Sequence, residues 1–431
     1  MACHALKGYL PTSAPCEPQG SLVKDRRLAI IFGIVLVDML SFSLVLPLLP
    51  YFARSFGANP TVTGLIFSSY PLMQVIAAPI LGRLSDVYGR KPILMLSIGG
   101  TVAALLLLGL SHSIWMLLAS RMIDGVTGGN ISVAQAYMTD ITEEKDRGKA
   151  FGLVGAAFGI GFILGPVTGG ALSVFGQSVP AFVAAGLAAI NLMLVVTFLP
   201  ESLTKARREQ VKAEPAKGFA ISELGTALRL PRVGPLLTVR IVIGFTFAVF
   251  EGGFSLWAVQ ALGLTAWANG LVLAYVGVLS VIIQLGLIGM LTKRFDDARL
   301  IVGGSALAAV MLGAWGFTTN LWVLLGVLPF LSLGMAVTNT IVGSALTKAV
   351  YPDEVGGVIG LATSTGSLVR IPSAFVAGAL LQTFAPGAWG PGVLAGALTA
   401  AIVPFAYQRL VRSPDAPLPP RAPVQTVSPA E

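Results

Sequence analysis

The stretch GRLSDVYGRKPIL, Gly82 to Leu94, lies between two long apolar runs and holds four charges: Arg83, Asp86, Arg90 and Lys91. Charged residues are only 11% of the 431-residue chain, so a concentration of four in one short turn needs a cause. The flanking runs supply the setting. Each is long enough to cross a bilayer, and the charges fall in the turn that joins them.

Composition points the same way. The chain is 55% hydrophobic with a mean hydropathy of +0.82. A soluble protein of this size could not cover that much apolar surface, whereas a bilayer can, which predicts a polytopic membrane protein. The 50 glycines suit helices that approach closely in lipid. The first apolar run follows Lys24, Arg26 and Arg27, is long enough to span, and has no small-residue cleavage site after it, so it reads as a helix that is retained. Cys3 and Cys16 have neither metal-ligand spacing nor a disulfide framework; they read as bystander thiols, with lipidation the alternative.

Twelve runs reach spanning length, at about 28–51, 62–82, 92–112, 114–138, 149–174, 179–199, 233–258, 268–291, 300–318, 322–349, 356–384 and 391–410. The longest internal polar stretch, 200–232, separates the sixth from the seventh. The expected organisation is a cytoplasmic tail 1–27, a six-helix bundle 28–199, a cytoplasmic central loop 200–232, a second six-helix bundle 233–411 and a Pro-rich disordered tail 412–431. The fold class is all-α: a polytopic membrane protein of 12 transmembrane helices in two pseudo-symmetric bundles.

The net charge of +8 could suggest nucleic acid, but its distribution argues otherwise. With the N-terminus placed inside, Arg121, Arg240 and Arg370 fall within spans and Arg54 in an outside loop. The other 24 of the 28 Lys and Arg are then cytoplasmic. This predicts that both termini and the central loop face the cytoplasm, and it accounts for the charge without any nucleic acid. The halves also repeat weakly. Gly152, Leu153, Gly170, Ala171 and Leu172 recur as Gly360, Leu361, Gly378, Ala379 and Leu380, and GRLSDVYGR has a degraded partner in GMLTKRFDDAR from Gly289. Parallel six-span repeats with binding at their midplane interface are a transporter plan.

The opening stretch therefore sits in the cytoplasmic turn between spans two and three. Gly82 and Gly89 allow a tight reversal and close helix approach. An orientation signal needs no acid, yet Asp86 is there. It is expected to face the positive N-terminal end of a helix in the other half, such as span eleven near Gly356, while Arg90 pairs with Asp140. Such contacts would latch the halves on one side.

GRLSDVYGRKPILML resembles the loop 2–3 signature of the major facilitator superfamily. RMIDGVTGG, from Arg121, resembles that superfamily's span-four motif, whose arginine is associated with proton transfer. GIGFILGPVTGG, from Gly159, is similar to the span-five motif of its drug:proton antiporters. VDMLSFSLVLPLLP, YPLMQVIAAPILGRLSDVYGRKP and the FLPES that ends span six resemble bacterial tetracycline efflux proteins. The match is stronger in the first half than in the second. It implies a secondary transporter of the inner or plasma membrane, working as a monomer without cofactor or metal, whose partners are protons, the lipid bilayer and a small-molecule substrate. Relatives that export tetracycline are expected to carry an acid in spans three and nine. Neither PILMLSIGGTVAALLLLGLSH nor LIVGGSALAAVMLGAWGF has one, which argues against a tetracycline–magnesium chelate as substrate.

In physical terms, Gly161, Gly165 and Gly169 recur every four residues along one face of span five, with Gly170 beside them. Pro166 removes a backbone donor and favours a kink. Span eleven places Thr365, Val369, Ser373 and Ala377 at the corresponding positions. Within the spans lie Asp38, Arg121, Asp124, Arg240, Glu251 and Arg370, with Glu251 towards the outer end of span seven. An ionised residue at mid-span costs roughly 2.5–3.5 kcal/mol on insertion scales, so each needs a partner or water. Asp38, Arg121, Asp124 and Glu251 are the proton-coupling candidates; Arg121 and Asp124 share a helix face. Tyr70, Gln74, Phe250, Trp257, Tyr275, Gln284, Asn339 and Arg370 are the candidates for contact with an amphipathic substrate.

Enzymatic function finds no support in the motifs. There is no HExxH, Walker loop or CxxC, and the histidines are His4 and His112. The favoured expectation is proton-coupled efflux of amphipathic compounds. The alternative is an uptake carrier for a sugar or other metabolite; the GPVTGG element and the scarcity of polar mid-span side chains favour efflux.

Overall fold

The computed structural model describes residues 19–142, 147–204, 208–209, 221–351, 355–384 and 389–412. Cys3, Cys16 and His4, most of the central loop and the tail beyond Arg412 lie outside them. Span one is the helix Gln19–Val45, continued through a 3-10 turn, Leu46–Leu48, into Leu49–Ser55. Spans two, three, five and six are Pro60–Tyr88, Arg90–Gly109, Arg147–Ser173 and Val179–Phe198. A short helix, Ile221–Arg229, precedes span seven, Val233–Leu262. Span eight is Ala266–Ile282 and Ile288–Arg294 joined by a π-helical turn, Ile283–Leu287. Spans nine to twelve are Asp297–Gly316, Leu321–Lys348, Val355–Thr383 and Gly390–Ala406.

Eleven helices among the described residues are long and apolar enough to cross a membrane. The remaining crossing, span four, departs from the single helix expected over 114–138. It is two helices, Ile114–Thr127 and Asn130–Ile141, interrupted at Gly128 and Gly129. A pair of glycines followed by an asparagine weakens helix continuation and offers a new start.

Helix ends follow local chemistry. Asn59 caps span two by accepting from the Val62 amide at 2.8 Å, with Pro60 at the first position, where its missing N–H is no loss. Ser113, Thr265 and Asn320 cap the helices that follow them in the same way. Span seven closes on Gly263 in the left-handed region.

Packing repeats between the halves. Span one packs on five and six, as seven packs on eleven and twelve; span three packs on four and six, as nine packs on ten and twelve. Each half has its own buried interior. In the first, Leu94, Ile98 and Tyr137 centre one cluster and Phe52, Leu105 and Leu108 another; in the second, Phe254, Trp257 and Trp315 stand at the centre.

Two seams join the halves: span two against eleven, and five against eight. Both are built on glycine. A Cβ on Gly378 would strike the Pro60 carbonyl, and one on Gly270 the Pro166 carbonyl, so these backbones meet with no side chain between them. Thr61 hydrogen-bonds Gln382, and the Tyr51 hydroxyl donates to the Leu264 carbonyl at 2.9 Å. These contacts lie at the end of the molecule that carries the Gly57 and Gly263 turns. At the opposite end, Gly152, Gly155, Gly286, Gly289, Gly357 and Gly360 have nothing within 4 Å of where a Cβ would sit. The halves are closed at one end and, among the described residues, stand apart at the other.

Span five's glycines serve a contact within the first half as well. A Cβ on Gly161 would meet Met39, on Gly165 Ser43, and on Gly169 Leu44, all on span one. Gly170 instead faces Trp267 on span eight. The Ser43 hydroxyl donates to the Gly161 carbonyl at 2.7 Å, through the gap that glycine leaves. In the second half the small residues change sides. Gly252 and Gly253 on span seven face Ala374 and Ala377 on span eleven.

Candidate functional site

A space of about 630 Å³, open to solvent, lies between the halves. Phe42, Phe67, Tyr70 and Gln74 from spans one and two line one wall; Glu251 and Arg370 from spans seven and eleven line the other, and Arg121 reaches it from span four. Phe42 and Tyr70 rings stand 5.5 Å apart. The first half thus contributes aromatic rings together with Gln74 and Arg121, and the second the Glu251–Arg370 pair.

The break in span four organises the polar groups around it. An interrupted helix frees backbone carbonyls that lipid cannot satisfy. Here the Ser97 hydroxyl donates to the Thr127 carbonyl, and the Gln74 amide donates to the Gly128 carbonyl at 2.9 Å and to the Tyr70 hydroxyl at 3.2 Å. Asn130, the first residue of the second segment, donates to the Asp38 carboxylate. One turn before the break, Arg121 and Asp124 form a buried ion pair at 3.2 Å. The Arg121 Nε is buried without a partner. Asn130 and Ser97 carry no charge to mark them in the sequence; the GGN that follows RMID is the signal for the first.

In the second half, Arg370 Nη2 donates to both Glu251 oxygens, at 3.0 and 3.3 Å. Glu251, which the sequence sets towards the outer end of its span, lines the cavity. Arg240 donates to the Ala362 carbonyl and to Asn339 Oδ1, at 3.2 and 3.1 Å, bridging spans seven, eleven and ten. Four of the proposed substrate contacts are placed differently from expectation. Phe250 and Trp257 pack with Phe254 and Trp315 in the interior of the second half, where their large apolar faces are covered. Tyr275 donates to the Leu325 carbonyl and packs on the same core. Gln284 is exposed on the π-helical turn of span eight.

The charged turn of Gly82 to Leu94 is tied within its own half. Arg90 pairs with Asp86 at 2.7 Å and with Asp140 at 3.0 Å, and also donates to the Ser85 hydroxyl. The expected contact from Asp86 to the start of span eleven is not made in this conformation. Arg90 holds Asp86, and Gly357 and Gly360 face open space. Gly82 is likewise in open space, so its expected close approach is absent. Gly89 is needed: its φ is +111°, and a Cβ there would collide with the Glu201 carboxylate. Glu201 accepts from the Arg90 and Lys91 amides at 2.9 and 3.2 Å, capping the start of span three. Ser202 donates to Asp140 at 2.9 Å. The FLPES ending of span six thus closes a polar cluster joining spans two, three, four and six.

The family model for the Major Facilitator Superfamily matches residues 31–374. The chain is 31% identical over 363 residues to the class C tetracycline resistance protein of Escherichia coli, covering 83% of this chain and 90% of that one. It is 27% identical over 385 residues to solute carrier family 22 member 18 of Rattus norvegicus, covering 88% and 92%. Among solved structures, it is similar to the human organic anion transporter MFSD10 (TETRAN), with a TM-score of 0.63 and 24% identity over 89% of this chain and 99% of that one. It is also similar to the nucleoside transporter NupG, with a TM-score of 0.71 and 12% identity over 89% and 98%.

Proposed function

The chain belongs to the Major Facilitator Superfamily, and from that premise we propose that this multi-pass membrane transporter is a proton-coupled exporter of amphipathic organic compounds. The observation that carries this reading is the buried Arg121–Asp124 pair at the wall of a cavity between the halves. An ionisable group is costly inside a membrane, and such groups mark ion and proton pathways. Asp124 exchanges a proton with whichever side the cavity faces, and Arg121 supplies the opposing charge when the carboxylate is ionised. Asp38, held by Asn130, and Glu251, held by Arg370, are the further proton-carrying candidates.

Transport proceeds as two bundles, 28–199 and 233–411, rock about the seams. Gly82, Asp86, Gly89, Arg90 and Asp140 belong to the latch that Asp86 completes with span eleven once the open end closes. Both termini and the central loop are cytoplasmic, so the open end faces the cytoplasm. The working unit is the monomer, in the inner or plasma membrane. The names of the tetracycline resistance relatives support an organic substrate. The lack of acids within the apolar runs of spans three and nine favours one other than a metal chelate.

Proteoliposomes holding a trapped pH-reporting dye test the reading. Adding an amphipathic substrate moves protons in the opposite direction at a rate that follows substrate transport. Substrate movement with no proton movement contradicts it, and movement of both in the same direction assigns an uptake carrier. Orientation is tested separately in intact cells with Cys3 and Cys16 replaced. Ser55→Cys reacts with an impermeant thiol reagent and Gly225→Cys does not; the reverse pattern overturns the topology.

A further inference from the structure

Arg370 is only half used. Both of its hydrogen bonds to Glu251 come from Nη2. Nη1 and Nε have no partner among the described residues. The pair lines the cavity, and the guanidinium is its more open member, with side-chain exposure of 50% against 22% for Glu251. Asp124 and Asp38, the other carboxylates of the region, are held by Arg121 and Asn130. The free Nε and Nη1 N–H groups of Arg370 are charge-assisted donors for a carboxylate, sulfonate or phosphate oxygen. Across the space stand Phe42, Phe67 and Tyr70. Aromatic faces opposite free guanidinium N–H groups fit a ring system that bears an acidic group.

We infer that the cavity binds aromatic organic anions, with Arg370 as the counter-ion of the substrate's carboxylate, sulfonate or phosphate and Glu251 as a resident competitor that occupies the guanidinium when the cavity is empty. The inference rests on the export reading and narrows it to a substrate class. Lysine cannot replace Arg370 fully: it keeps the charge, but its single nitrogen cannot hold Glu251 and reach a substrate from separate nitrogens as the guanidinium does. Removing the negative charge of Glu251 frees the guanidinium and strengthens anion binding. Damage to the fold cannot produce that gain.

Equilibrium dialysis with the purified full-length protein tests this, using a naphthalene sulfonate and a naphthyl trimethylammonium of the same ring system as probes. The wild type binds the sulfonate about tenfold or more tighter than the ammonium. Arg370→Gln removes that preference, Arg370→Lys keeps part of it, and Glu251→Gln tightens sulfonate binding several-fold. Tighter binding of the ammonium by the wild type, unchanged sulfonate binding in Arg370→Gln, or weaker sulfonate binding in Glu251→Gln overturns the inference. The same probes in the pH-reporting vesicles separate the two readings. If only the ammonium moves protons, export stands and the anion site falls. If the sulfonate binds as stated and neither probe moves protons, the anion site stands and proton-coupled export falls.

Discussion

Asp124 is buried beside Arg121, one turn before the point where span four breaks. That setting leaves it two tasks, carrying a proton or neutralising an arginine, and substitution separates them. Asp124→Asn removes the titratable group while keeping its shape. It should reduce pH-gradient-driven transport to background and leave substrate counterflow, which needs no net proton movement, within about twofold of the wild type. Wild-type uphill transport in Asp124→Asn transfers the coupling role to Asp38. Glu201 invites a structural test. It caps the amides of Arg90 and Lys91, and Glu201→Ala should lower stability by about 1–2 kcal/mol, seen as a lower Tm of the solubilised protein. An unchanged Tm would show that the cap contributes nothing measurable. Asp38, Arg121, Asp124, Glu251 and Arg370 could be picked from sequence because charge inside an apolar run is conspicuous. The partners of Asn130, Ser97 and Glu201 could not, because each acts on a backbone group or side chain brought near only by folding; GGN and FLPES marked the places of Asn130 and Glu201 without their tasks. Phe250 and Trp257 failed for the complementary reason: an aromatic residue on a span serves core and cavity equally well, and only the packing of Trp315 against them decides.

Span five carries glycines with different tasks on a single helix. Gly165 has Ser43 where its Cβ would be, whereas Gly155 has open space. Gly165→Ala should therefore force spans one and five apart and destabilise the protein by about 1–3 kcal/mol, as overpacking does. Gly155→Ala should stay within about 0.5 kcal/mol of the wild type. Thermal unfolding of the two variants side by side distinguishes them, and equal behaviour would remove span one as the partner of this face. The four-residue spacing made the glycine ridge legible, but not what lay against it. The same limit applies to span four. Its length and apolar content predicted one helix, and the break at Gly128 and Gly129 became stable only because Gln74 and Ser97 satisfy the carbonyls that the break releases. The π-helical turn in span eight, Ile283–Leu287, carries Gln284 and Gly286, and neither a polar nor a small residue within a span announces a change of helix type.

The two halves meet at one end through glycine seams and stand apart at the other, and a transporter that works by alternating access must exchange these states. Thr61 and Gln382, hydrogen-bonded across the closed end, are placed to lock it. In a background lacking Cys3 and Cys16, oxidising Thr61→Cys with Gln382→Cys should stop transport, and reduction should restore it. Continued transport in the cross-linked form would mean that this seam never opens. The twofold relation between halves was partly visible as the recurrence of Gly152 and Gly170 at Gly360 and Gly378. The seams were not visible, since nothing in an apolar sequence states which helix of one half touches which of the other. Proton coupling is tested by uphill transport in the reconstituted protein, with an imposed pH gradient as the sole energy source. An amphipathic compound should accumulate above its equilibrium level, and a protonophore or Asp124→Asn should abolish the accumulation. Equilibration without accumulation, at a rate indifferent to the gradient, would contradict proton coupling.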